Sequence, residues 1–508
     1  MTGNSNSKLS SNKFKMGLMA FSLVTLASLM SIRNFPTMAL VKWQLITFTI
    51  LAVILYLIPA ILTSSELGTG WPQNGGVYVW VKEAFGQRWG FTAVWMQWFQ
   101  MTIGFVSVLS FVAATFSYAI DPALANNKIY IFAVIAFVWW LFTFINFRGL
   151  KTYTRINSVF LVIGTLIPCA LLIIGGFWFV GTGHHIPLFT MHPTVADFIP
   201  NLTSIDNLSL LVVFVFLFVG VEMTAAHAGD IKNVGRNYPL GLLIAGIVLV
   251  VVSILGALAV GFLVPTSGLN LLAGIMQGFE AMFGAGVLTS FIALLITIGS
   301  IGEASSWILG PVRGLLVTAK DGNLPKVLQK TNSKGMPTNM MIVQGIIVTF
   351  WAAMFVALPG GVNSSFWILL SLTTLVYIVM YLFMYAAVIK LRYSQPNVKR
   401  AFKIPGGKLG AWIVGVWGFA AMVFTFIVAL FPPSQINGSG LTTPEYVAIL
   451  LIGTIVVAII PLIIYRFRRA DWKPANNPEL QMHEARNQLI NDEDAKKADS
   501  TEQSGNKD

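Results

Sequence analysis

The sequence has little charge. Of its 508 residues only 10% are Asp, Glu, Lys or Arg, whereas 56% are hydrophobic. An average soluble protein is about 25% charged. A soluble chain of this length would usually divide into several domains joined by polar linkers, and here short loops separate long apolar runs. The scarcity of charge therefore excludes a water-soluble enzyme or scaffold and predicts an all-α integral membrane protein.

Residues that perform chemistry are equally scarce. The chain has a single cysteine, Cys169, so an intramolecular disulfide is excluded. Its five histidines show no metal-ligand spacing, and no nucleophile lies beside a base in a catalytic pattern. We therefore expect no catalytic residue, no metal, no cofactor and no enzymatic activity. A channel is disfavoured because the sequence has no filter-like loop.

Apolar runs of about 20 residues, the length that crosses a bilayer, recur along the chain and predict twelve transmembrane helices. They cover 16–40, 43–63, 89–119, 128–147, 154–181, 207–228, 238–263, 285–315, 340–358, 365–390, 409–431 and 445–466. Together they predict one membrane domain at 15–466, preceded by an N-terminal tail at 1–14 and followed by a polar tail at 467–508.

The basic residues predict the orientation, because cytoplasmic loops carry an excess of Lys and Arg. Only Lys42 and Lys128 fall in the gaps predicted to lie outside, whereas the gaps at 320–334 and 390–408 hold basic clusters. Both termini are therefore expected in the cytoplasm, and topology explains the net charge of +12 without nucleic acid. The composition of the polar tail predicts a disordered segment. The alternative is a regulatory segment that docks on the cytoplasmic mouth.

Three ionisable residues fall well within the predicted spans: Arg33 in span 1, Glu222 in span 6 and Glu303 in span 8. Charges at membrane depth are costly and mark a transport pathway or a buried pair. Each therefore has a functional and a structural interpretation. Arg33 could pair with a carboxylate only to hold helices together, and either glutamate could accept hydrogen bonds at a helix break.

Two spans carry sequences that interrupt a helix. In span 1, Pro36 disfavours helical structure at Phe35, so Ser31 and Ile32 are expected to lose their backbone partners. Span 6 places Gly, Glu, Thr and His together at 220–227. The alternative is a proline kink in span 1 and a polar packing face in span 6. Two broken helices indicate an inverted-repeat transporter, in which helix ends bind an anion and unwound carbonyls bind a cation. An α-amino acid presents both charges.

Several motifs extend this interpretation. The stretch at 66–80, with Glu66, Trp71 and Gly75, resembles the signature of the amino acid–polyamine–organocation (APC) superfamily. More closely, the chain resembles the bacterial glutamate/γ-aminobutyrate antiporter family at 35–37, 220–227, 236–240, 303–311 and 402–408.

The resemblance implies a LeuT-like fold of two five-helix inverted repeats with broken helices 1 and 6, followed by two further helices. It also implies a cell-membrane antiporter that exchanges an external amino acid for its internal decarboxylation product by alternating access. The expected partners are amino acids, amines and the lipid bilayer.

The breaks and the resemblance together give a set of candidate site residues. The predicted substrate-binding residues are Ser31, Ile32, Arg33, Asn34, Gly220, Val221, Glu222, Glu303 and Trp307. The predicted proton- or pH-linked residues are Glu222, Glu303 and His227.

One position departs from the family. Where family members have a Tyr-Glu pair, this chain has Arg33 and Asn34. A buried guanidinium is unfavourable beside an amine and favourable beside a carboxylate, which it can bind through two hydrogen bonds. The change argues against an agmatine/putrescine pair and leaves glutamate, aspartate and tyrosine (exchanged for tyramine) open. A proton-coupled amino acid uptake permease on the same fold is the alternative function.

Overall fold

The computed structural model describes residues 16–72, 75–148, 160, 162–184, 193–201, 205–265, 268–432 and 440–473. Within these ranges the regular structure is helical, apart from one isolated parallel β-bridge between Met16 and Ile231. The all-helical prediction is therefore confirmed for the described residues. The tail at 1–14 and most of the tail at 467–508 lie outside them.

The helices have the following bounds in chain order. The first nine in the described residues are α1 Leu18–Leu29, α2 Phe35–Ala39, α3 Gln44–Gly70, α4 Val77–Phe85, α5 Gln87–Ser117, α6 Lys128–Asn146, α7 Val162–Gly181, α8 Val195–Phe198 and α9 Ile205–Leu217. The next eight are α10 Val234–Leu263, α11 Gly274–Phe283, α12 Val287–Thr318, α13 Lys326–Gln329, α14 Thr338–Ala357, α15 Val362–Ser394, α16 Gly407–Ala429 and α17 Thr443–Arg466.

Eleven helical segments in the described part of the chain are long and apolar enough to cross a membrane. The predicted span at 16–40 is not among them, because it is divided into α1 and α2 and neither piece is long enough. The twelve-span count, the internal repeat and the cytoplasmic position of both termini stay predictions.

Burial separates the helices into an inner and an outer set. Nearly every residue of α5 and most of α15 are buried, and α5 packs against both α12 and α15. By contrast, α16 and α17 direct large apolar side chains outward, among them Trp412, Ile413 and Ile452. Exposed apolar faces of this kind are stable against lipid tails and costly in water. The two pieces of the first span, α1 and α2, pack mainly against α10, and the 221–230 segment of the sixth span packs against the second half of α3.

Candidate functional site

The first span is interrupted where the sequence predicts. Helix α1 ends at Leu29, Ser31 is extended with φ −134° and ψ 121°, and residues Ile32–Asn34 form one turn of 3-10 helix. Helix α2 then begins at Phe35, with Pro36 in its first turn. Proline is tolerated there because the first amides of a helix have no partner within it. The backbone around Ser31 is therefore buried but not α-helical.

The sixth span is interrupted as well. Helix α9 ends at Leu217, and after a turn the chain continues as a 3-10 helix over Val221–Asp230. Gly220 in the turn has φ +110°, which favours glycine. A methyl group at this position would lie 2.7 Å from Trp307 Cη2, so the indole of α12 covers the turn. The backbone N–H of Gly220 donates to the Tyr381 hydroxyl at 3.0 Å.

Two buried, opposite charges meet beside the first break. Arg33 Nη1 lies 3.5 Å from Glu303 Oε1, and the two side chains are 10% and 9% exposed. Within the described residues Arg33 Nε and Nη1 make no hydrogen bond. Each buried donor without a partner costs about 1–3 kcal/mol, so an acceptor placed beside this guanidinium would stabilise it. The pair fits the structural interpretation of Arg33 and also leaves donors available to a ligand.

Glu222 occupies a separate network, and its partners among the described residues include no cation. Its Oε1 accepts from Gln97 Nε2 at 3.0 Å and from the Tyr377 hydroxyl, and its Oε2 accepts from the Tyr381 hydroxyl. The residue is 2% exposed. A buried carboxylate is costly unless hydrogen bonds satisfy it, and these three donors do so. Through Tyr381 the carboxylate is connected to the Gly220 amide at the break.

The remaining candidate residues lie at the two breaks. Ser31, Ile32, Asn34 and Val221 are buried at the two breaks. The side chain of His227 lies outside the described residues, so its proposed pH link stays a prediction. Glu222 and Glu303 thus have different partners, and the structure does not bring them into one acidic cluster.

Sequence reasoning missed the polar residues that surround Glu222. Gln97, Tyr377 and Tyr381 are uncharged, and composition alone does not distinguish them from packing residues. A pattern was nevertheless present: Tyr377, Tyr381 and Tyr385 recur at intervals of four on α15 and so share one helix face. The rings of Tyr377 and Tyr381 have centroids 5.0 Å apart.

A second buried charge cluster joins two of the motifs found in the sequence. Glu66 Oε2 accepts from Arg392 Nη2 at 2.5 Å and from the backbone N–H of Ile404 at 2.8 Å. Arg400 Nε lies 3.4 Å from Glu66 Oε1. The cluster fixes the end of α3 to the loop between α15 and α16. Arg392 and Arg400 are therefore buried structural partners of Glu66, in addition to their place in the predicted orientation.

A bundle of spanning helices, two of them interrupted beside buried charges, defines a membrane transporter. The amino acid permease family model matches residues 15–469, so the chain belongs to this family of the APC superfamily. The protein is accordingly a multi-pass transporter of the cell membrane and not an enzyme.

Three curated relatives illustrate the similarity. An uncharacterized transporter of Legionella pneumophila is 36% identical over 84% of this chain and 92% of its own length. The glutamate/gamma-aminobutyrate antiporter of Lactococcus lactis subsp. lactis is 33% identical over 89% and 91%. A probable agmatine/putrescine antiporter of the same subspecies is 27% identical over 82% and 87%.

Proposed function

We propose that this protein is an antiporter that exchanges an external amino acid for its internal decarboxylation product. Glutamate and γ-aminobutyrate are the leading pair, because the relative with that name is 33% identical over 89% of this chain. The name of the agmatine/putrescine relative supports antiport as well, but its substrates lack the carboxylate that Arg33 suits.

The observation that carries the proposal is the juxtaposition of Arg33 and Glu303 at the first break. Arg33 has hydrogen-bond donors without acceptors, and Glu303 supplies a negative charge 3.5 Å away. A zwitterion offers a carboxylate to the guanidinium and an ammonium group to the carboxylate. We propose that the amino acid binds by separating this pair, beside Ser31, Ile32 and Asn34. Rocking of one helix bundle against the other would then expose the site to each side in turn.

We propose further that the second break completes the site. Gly220 and Val221 lie in the interrupted part of span 6, and Trp307 covers the Gly220 turn from α12. An aromatic ring in this position can close over a bound substrate. Movement of Trp307 would change the packing around Gly220, because the two residues are in contact.

Glu222, Glu303 and His227 are the proposed proton-linked residues. An ionised Glu222 accepts three hydrogen bonds, from Gln97, Tyr377 and Tyr381. Once protonated, the carboxyl group must itself donate, and one of the three bonds is lost or reversed. Protonation of Oε2 would therefore change its bond with the Tyr381 hydroxyl, which also accepts from the Gly220 amide at the break.

The proposal is tested by counterflow in proteoliposomes loaded with unlabelled γ-aminobutyrate, with labelled glutamate outside. We expect glutamate to enter loaded vesicles and not empty ones. Aspartate and tyrosine, each with its own decarboxylation product inside, are the parallel arms that test the other pairs. Uptake into empty vesicles driven by a pH gradient would instead identify a proton-coupled permease.

A further inference from the structure

The last residue of α17 and the segment beyond it are basic. Residues 466–473 carry four cations, Arg466, Arg468, Arg469 and Lys473, and one carboxylate, Asp471, and we refer to these eight residues as the basic strap. The strap begins where the last spanning helix ends, at the face of the protein predicted to be cytoplasmic. It has no part in the substrate site described above.

Two hydrogen bonds and one close backbone approach hold the strap against the rest of the protein. The carbonyl of Trp472 accepts from Gln329 Nε2 at 2.7 Å, and Arg468 Nη1 donates to Gln87 Oε1 at 3.1 Å. Gly322, with φ +87°, lies so close that a methyl group on it would be 3.2 Å from Lys473 Cβ. Three contacts from different elements therefore hold the strap against the start of α5, the loop after α12 and the end of α13.

A cavity of about 580 Å³ lies beneath the strap. It is lined by Lys82, Gln87, Asp321, Gly322, Arg468, Arg469, Ala470 and Lys473. Four of these residues are cations and one is a carboxylate. The volume is within the range of small-molecule sites, roughly 300–1,000 Å³.

The carboxylate in this cavity already has its partners. Asp321 Oδ2 accepts from Lys82 Nζ at 2.5 Å and from the hydroxyl of Tyr78. Burial, together with the Asp321 charge, raises the pKa of Tyr78 well above its ordinary value, so this hydroxyl stays protonated and donates. Arg468, Arg469 and Lys473 remain, with no further carboxylate among the lining residues. The cavity therefore has an excess of positive charge and favours an anion.

We propose that this cavity binds the phosphate group of an anionic phospholipid of the inner leaflet. Arginine forks match phosphate oxygens through paired hydrogen bonds. The strap directly continues a helix that is long and apolar enough to span a membrane, so we expect it at the level of the lipid headgroups, where basic pockets attract anionic lipids. Phe467, between two of the strap arginines, is 72% exposed and offers an apolar contact that acyl chains satisfy and free phosphate does not.

The test uses the purified full-length protein in detergent micelles that contain phosphatidylglycerol, phosphatidylcholine alone, or phosphatidylcholine with inorganic phosphate. Native mass spectrometry measures lipid retention, and thermal unfolding measures stabilisation. For the wild-type protein we expect retention and stabilisation with phosphatidylglycerol only. Stabilisation by inorganic phosphate with no retention of phosphatidylglycerol would overturn the lipid assignment, and no effect of either would overturn the site.

A matched pair of double variants locates the binding. R469Q/K473Q removes two cavity cations, and K326Q/K330Q removes two exposed cations of the same face that do not line the cavity. Each cation beside the bound headgroup contributes about 1 kcal/mol to anionic lipid binding, so the first variant should bind phosphatidylglycerol about 30-fold more weakly. The second should bind like the wild type. Equal losses in both variants would show general surface attraction and contradict the proposal.

Discussion

Arg33 and Glu303 face each other beside the break in the first span, with Nη1 and Oε1 separated by 3.5 Å. Charge-assisted hydrogen bonds between such groups are usually about 2.7–2.9 Å long. The pair is thus close enough for attraction and too distant for its strongest interaction. A zwitterionic ligand placed between the two side chains would give each of them a closer partner of opposite charge, and this relationship is the centre of the proposed transport mechanism.

Removal of Arg33 should discriminate between the two exchanged substrates. The R33A variant loses the partner of the α-carboxylate, which the amino acid has and its decarboxylation product lacks. We expect amino acid uptake to fall about tenfold to a hundredfold, the equivalent of one hydrogen bond to a charged group, with a smaller loss for the product. Transport assays with each labelled substrate measure this. R33K keeps the charge without the forked donors, so its amino acid uptake should lie between those of the wild type and R33A. Equal losses for both substrates in R33A would contradict the assignment.

The hydroxyl of Tyr381 should matter more than that of Tyr385. Y381F leaves the Gly220 amide without its acceptor and Glu222 Oε2 without its donor, and each unsatisfied buried group costs about 1–3 kcal/mol. Y385F is the matched control, because the Tyr385 hydroxyl makes no hydrogen bond within the described residues. Thermal unfolding in detergent should show a clear destabilisation for Y381F alone. Similar melting curves for both variants would show that the network is unimportant for stability.

Replacement of either membrane glutamate should change the response of transport to pH. E222Q cannot be titrated and keeps the size of the side chain, so transport should lose pH dependence if protonation reaches the Gly220 break through Tyr381. E303Q cannot be titrated either. Because it also removes the charge that faces Arg33, it should weaken substrate binding in addition. Exchange rates at mildly acidic and at neutral pH separate these effects. A wild-type pH profile in both variants would exclude the two residues from the proton link.

Gly220 should tolerate no side chain. In G220A the alanine must adopt φ near +110°, and its methyl group would lie 2.7 Å from Trp307 Cη2. Backbone strain of this kind costs about 1–3 kcal/mol before the collision is counted. G181A is the control, since Gly181 lies in α7 with open space around it. We expect reduced stability and transport for G220A and nearly wild-type behaviour for G181A, and wild-type transport by G220A would refute a functional break there.

The cluster around Glu66 should be essential for stability. E66Q leaves Arg392 and Arg400 with no buried carboxylate, and the loss of one partner from a buried pair costs about 3–5 kcal/mol. D471N removes an equal charge from an exposed position and should change little. Thermal unfolding of both purified variants measures the difference. Equal melting temperatures would show that the buried cluster contributes no net stability.

The sequence predicts the membrane-spanning helices and both interruptions well, because lipid demands long apolar runs and tolerates proline and glycine only where other groups satisfy the backbone. Pro36 and Gly220 therefore indicated the breaks directly. Pairing between distant residues was not accessible in this way: Arg33 and Glu303 are 270 positions apart, and no local pattern connects them.

The loop charges show a further limit of sequence reasoning. Arg392 and Arg400 counted only as evidence for orientation, yet the structure buries both against Glu66. Charge placement along the chain predicts on which side a loop lies, whereas tertiary packing decides which of its charges are exposed. The uncharged tyrosines around Glu222 were missed for the same reason.

The most direct test of the exchange mechanism is a dual-label measurement in one population of proteoliposomes. Vesicles contain γ-aminobutyrate with one isotope, and the medium contains glutamate with another. Antiport predicts that glutamate enters and γ-aminobutyrate leaves in equal molar amounts, and that both fluxes stop when either substrate is omitted. Entry of glutamate without matching efflux, or efflux into substrate-free medium, would contradict obligatory exchange.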